Sequence, residues 1–138
     1  MISIQETTDL LGLAIRNVLS SRKDEKFYNL VKAWNKKIVV DVSDMYPITI
    51  IFEGENIKFE RREVEDYDVK LKTDLQTLLD LAFGRIGSVS AVIKGKLKLK
   101  GILKVGTLLK LMKVFFKPLK DVAKNPNINY FEQDKEIK

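Results

Sequence analysis

The sequence predicts an α+β fold in which helices pack on one face of a five-stranded, mainly antiparallel sheet. Three observations carry that prediction. Strand-like runs joined by short polar connections fill residues 37–72, and helical spacing precedes and follows them. One more alternating run, "GKLKLKG" at 95–101, stands as a fifth strand between helical stretches. At 138 residues the chain can build one sizeable core. The expected domain spans residues 1–124, with 125–138 a turn and tail.

The first helix is expected over about residues 3–20. "SIQE" (3–6) has the form of a capping box, and Leu10, Leu11, Ala14, Ile15 and Val18 follow at helical spacing. After "SSRKD", Phe27, Leu30, Val31 and Trp34 place four large apolar groups on one face of a second helix. The strand runs are "KIVVDV" (37–42), "YPITIIFE" (46–53), "NIKFER" (56–61) and "YDVKLK" (67–72). Their short connections favour an antiparallel meander. The first two runs are apolar on both faces and read as central. The last two alternate, Ile57 and Phe59 against Lys58 and Glu60, Val69 and Leu71 against Asp68 and Lys70. "TDLQ" (73–76) reads as a capping box for a helix with Leu75, Leu78, Leu79 and Ala82 on one stripe, stopped at Gly84. "SVSAVIK" (88–94) fits one more helical turn.

The stretch from Ile102 to Lys117 reads as a helix ended by Pro118. Lys110, Lys113 and Lys117 gather with Gly106 in a narrow polar arc, and almost all the rest is apolar. A surface helix needs only about a 100° apolar stripe. Three readings stay open: a deeply buried core helix, a wall of a ligand cavity, or a contact with a membrane or partner.

Composition removes much chemistry. The chain has no cysteine and no histidine, which excludes disulfides, thiol nucleophiles, Ser-His-Asp triads and imidazole acid–base catalysis. The acidic run "FERREVEDYD" lacks the spacing of a calcium loop and reads as a solvated turn. No metal and no cofactor is expected. The start lacks a secretory leader pattern, and no apolar run approaches the ~20 residues that span a bilayer, so a soluble cytoplasmic protein is expected. Residues 94–124 carry ten lysines against Asp121 alone, more positive charge than the chain's whole net charge of +6, and the rest of the chain is slightly acidic. No arginine follows Arg85 and no aromatic interleaves the lysines before Phe115, which argues against nucleic acid. Lysines along an edge strand instead keep one sheet from pairing with another.

The segment 91–116, "AVIKGKLKLKGILKVGTLLKLMKVFF", resembles the C-terminal part of the sterol carrier protein type two domain, a nonspecific lipid-transfer family. The strand portion is Gly95-Lys96-Leu97-Lys98-Leu99-Lys100-Gly101, and "FEGENIKFE" and "TDLQTLLDLAFGRIGSVSAVIKG" are similar in order and spacing. The resemblance covers residues 25–117 and leaves the N-terminal helix outside it. It implies an apolar tunnel between sheet and helices that takes fatty acid, acyl-CoA, sterol or phospholipid without covalent chemistry. By position the lining would be Leu78, Leu79, Phe83, Val92, Leu97, Leu99, Leu108, Met112, Phe115 and Phe116. Lys96, Lys98, Lys100, Lys110, Lys113 and Lys117 would face an anionic membrane. A scaffold or regulatory domain with the same fold and a filled tunnel is the alternative, because a packed core and a lined cavity use the same residue types. The ending Glu136-Ile137-Lys138 lacks the Ser-Lys-Leu peroxisomal address of some members.

Overall fold

Runs that are apolar on both faces belong in the middle of a sheet, and residues 35–53 supply its two inner strands. The computed structural model describes residues 2–20, 25–101, 113, 114, 118 and 119. In chain order these include β1 (Ser3–Ile4), α1 (Leu10–Ser20), α2 (Glu25–Val31), β2 (Asn35–Val42), β3 (Pro47–Glu53) and β4 (Asn56–Glu60). There follow β5 (Val69–Thr73), α3 (Leu75–Ala82), α4 (Ser88–Ile93) and β6 (Lys98–Gly101). The strands form one sheet ordered β1-β4-β3-β2-β5-β6.

The four runs from 37 to 72 do not make a continuous meander. β2, β3 and β4 pair antiparallel, with Gly54 (φ 63°) at the tip of the β3–β4 hairpin. β5 then crosses to the far side of β2 and pairs with it in parallel, Ile38 beside Val69 and Val40 beside Leu71. The crossing satisfies an apolar demand. Val39, Thr49 and Ile51 point away from the helices yet are buried, and Val64 in the connection is buried too. Thr49 fastens the connection there, its hydroxyl donating to the Arg62 carbonyl (2.7 Å) and accepting from the Val64 amide (3.3 Å).

The sheet has six strands where five were expected, because the first residues are extended. Ser3 and Ile4 pair in parallel with Asn56 and Ile57 at the free edge of β4, and the Gln5 side chain accepts from the Phe59 amide. The Ser3-to-Glu6 capping box therefore does not form. α1 starts at Leu10 under Asp9, whose carboxylate accepts from the Gly12 amide (2.7 Å), the Thr7 hydroxyl (2.6 Å) and the Tyr46 hydroxyl (2.6 Å). Burial pushes the Asp9 carboxyl up, but these bonds outweigh it and hold it below the ordinary value. The starting point also sets the buried face: Leu11, Ile15, Val18 and Leu19 reach the core, while Leu10 is exposed.

One core joins that face to Phe27 and Val31 of α2, to Ile38, Val40, Ile48, Ile50 and Leu71 of the sheet, and to Leu81 and Ala91. The helices thus lie on one face of the sheet, as expected. Trp34 packs against Phe52 in a tilted pair with ring centres 4.7 Å apart. α3 is capped by Asp74, which accepts from the Thr77 amide (2.7 Å), and not by Thr73. Thr73 is instead the last residue of β5, its hydroxyl donating to the Lys96 carbonyl (2.9 Å). Both α3 and α4 end in a left-handed glycine, Gly84 (φ 74°) and Gly95 (φ 72°). Arg85 and Lys96 donate back to the carbonyls of Asp80 and Ala91, closing the same terminal motif twice.

Candidate functional site

The structure distributes the ten expected lining residues over three environments. Leu97 is buried in the core, and Leu78 and Leu99 pack partly buried against it. Leu99 stands opposite Leu71 on the helix-covered face of the sheet. Leu79, Phe83 and Val92 are exposed by 41%, 58% and 40%, on α3, at its end and on α4. Leu108, Met112, Phe115 and Phe116 lie outside the described residues, as do Lys110 and Lys117. The expected helix over 102–117 is described only at Lys113, exposed, and Val114, buried in the core.

The α3 stripe is turned relative to the sequence reading. Thr77, Leu81 and Ala82 are buried and Leu78 is half-buried, so Leu75 and Leu79 fall on an outer flank. Leu75, expected on the buried stripe, is exposed on that flank, and the apolar residues sequence reasoning passed over are the exposed Val89 and Ile93 on α4. Their signal was present as i, i+4 pairs, Leu75 with Leu79 and Val89 with Ile93, outside the stripe the core uses.

Charge is equally uneven. Lys70, nearly buried, bonds Glu63 (2.6 Å) and lies 3.8 Å from Asp41, and its ammonium is held above the ordinary lysine range chiefly by Glu63. Lys37 meets Asp66 at 2.5 Å and its backbone amide donates to Asp68 (2.8 Å). In the acidic run from Glu60 to Asp68, Glu60, Glu63 and Asp66 are thus each paired with a cation, and Asp68 with a backbone amide. Among the described residues no group of acids has the arrangement of a metal site. On β6, Lys100 stands opposite Lys70 and Lys98 opposite Lys72. Lys72, Lys96, Lys98 and Lys100 are exposed and have no ion pair among the described residues. No described helix is long and apolar enough to cross a membrane.

A family model for the SCP-2 sterol transfer family matches residues 15–116. The chain belongs to that family. Among solved structures, it is similar to the solution structure of the sterol carrier protein domain 2 of Helicoverpa armigera, with a TM-score of 0.61 and 18% identity over 79% of this chain and 85% of that one. The UbiJ-SCP2 ubiquinone synthesis protein matches with a TM-score of 0.57 and 13% identity, over 86% of this chain and 97% of its own. The stereoselective inverting sec-alkylsulfatase Pisa1 from Pseudomonas sp. matches with a TM-score of 0.54 and 16% identity, over 64% of this chain. Of that enzyme the chain spans only 14% of the length. At these identities the likeness is one of fold. No curated protein is significantly similar in sequence.

Proposed function

We propose that this member of the SCP-2 sterol transfer family binds a hydrophobic ligand between its sheet and its helices and transfers it without catalysis. The family match over residues 15–116 carries the reading. It is supported by the graded burial of the expected lining, with Leu97 in the core, Leu78 and Leu99 partly buried against it, and Leu79, Phe83 and Val92 exposed. The ligand is a fatty acid, acyl-CoA, sterol or phospholipid. Each methylene removed from water stabilises by about 0.8 kcal/mol, so ten contribute ~8 kcal/mol before association and ordering costs remove about half. The micromolar affinity that remains suits a carrier that must release its cargo.

Native mass spectrometry of gently purified protein, followed by solvent extraction, tests this. Near-stoichiometric lipid, displaced by a fluorescent fatty acid, is the expected result. One observation favours a second reading: Leu97 is only 2% exposed and continuous with the main core. A scaffold with a filled interior would have the same Leu97. A lipid-free mass together with no binding of the fluorescent fatty acid would select it.

A further inference from the structure

β6 lies at the end of the sheet order, and among the described residues no strand pairs with its outer side. Leu99 packs on the helix-covered face, so Lys98 and Lys100 alternate with it onto the opposite face. There Lys98 stands opposite Lys72, and Lys100 opposite Lys70. Glu63 engages Lys70 (2.6 Å), whereas Lys72, Lys98 and Lys100 are exposed and have no carboxylate partner among the described residues. The edge therefore offers two things at once: backbone groups without a neighbouring strand and, on one face only, a cluster of lysines.

The sequence holds a segment with the complementary pattern. In Phe131-Glu132-Gln133-Asp134-Lys135-Glu136-Ile137 an acid recurs at every second residue. An extended chain puts Glu132, Asp134 and Glu136 on one face and Phe131 and Ile137 on the other. A helix would set Asp134 on the side opposite the other two acids. Leu119, the last described residue, packs against the core. Residues 120–131 can span up to about 40 Å from there, enough to cross a domain of this size.

We propose that residues 131–137 add to the sheet as a further strand on the free edge of β6. Glu132, Asp134 and Glu136 face Lys72, Lys98 and Lys100, and Phe131 and Ile137 flank Leu99 on the other side. Period and charge together select this occupant. A bilayer or a nucleic acid would meet the lysines but leave the edge amides and carbonyls unused. The β6 edge of a second copy would set lysine against lysine. Glu63 and Asp66 of the 61–68 connection already hold Lys70 and Lys37. The proposal does not rest on the carrier reading.

Hydrogen exchange on the full chain reads both strands. Amides of residues 132–136 are expected to exchange about 10-fold or more slowly than in an unstructured peptide, and to lose that protection in high salt. Lys98→Glu/Lys100→Glu should abolish it, and so should Glu132→Lys/Asp134→Lys/Glu136→Lys, because each sets like charges across the new pairing. Combining the two sets should restore most of it, with the buried Trp34 reporting that every variant is folded. Four results would overturn the proposal: residues 132–136 unprotected in the parent, protection indifferent to either reversal, no recovery in the combined variant, or protection that rises with protein concentration and so belongs to a second copy.

Discussion

Over β2, β3 and the start of β5 the outer face of the sheet is closed, and over the end of β5 and β6 the same face is open. In the closed region the 61–68 connection covers Val39, Thr49 and Ile51, and Lys70 and Lys37 have carboxylate partners. In the open region Lys72, Lys98 and Lys100 have none among the described residues, and two lysine pairs stand directly opposite each other. Like charges across strands destabilise a sheet. Among the described residues, the lysines that fasten the covered face, Lys37 and Lys70, are paired with carboxylates. Unpaired lysines at the edge weaken the fold slightly and guard against edge pairing.

The strongest way to break the contrast is at its hinge, Gly101. This residue has φ 108°, and a Cβ there would overlap the Asp68 carbonyl. Gly101→Val is expected to destabilise by ~3 kcal/mol or more in denaturant unfolding, because strain and a backbone clash combine. Leu97→Ala should cost about 3 kcal/mol by the same measurement if the space beneath the edge strand is packed. In the closed region, Thr49→Val leaves the Arg62 carbonyl and the Val64 amide without their partner. A loss of about 1–3 kcal/mol is expected, with faster hydrogen exchange confined to residues 61–66.

Acid distinguishes the helix cap from the sheet. Asp9 is held below its ordinary value of 3.8, so its contribution is full above that pH and is lost as pH falls through the lower folded value. Below about pH 4, α1 amides should lose exchange protection before those of β2 and β3, and Asp9→Asn should abolish that step. The smallest effect is also the sharpest comparison. Lys70→Gln should destabilise by about 1 kcal/mol, whereas Lys100→Gln should be neutral or stabilise by a few tenths. Equal losses at both positions would erase the distinction between the two regions.

Much of the architecture is legible in local pattern. The double-sided apolarity of Ile38, Val39, Ile50 and Ile51 placed β2 and β3 at the centre, and the Leu–Lys alternation placed 98–101 at an edge. The lining was legible only as apolar positions, since periodicity does not separate a core side chain such as Leu97 from an exposed one such as Phe83. Both caps were misplaced by one motif: Ser3 and Thr73 fit a capping box, yet each was taken by a strand, and the aspartates nearer the helices did the capping.

By itself the sequence determined the class of fold, the face each alternating strand buries, the stop at Gly84 and the absence of thiol and imidazole chemistry. Those follow from side-chain type and from periods of two and 3.6 residues, which are local. Only the tertiary structure decided that β5 pairs with β2, that Ser3–Ile4 adds a sixth strand, and that Val64 covers the outer face. It also decided that Val89 and Ile93 remain uncovered on α4. Strand partners and uncovered faces depend on what lies across space, and the balance between competing long-range contacts leaves no period in the chain.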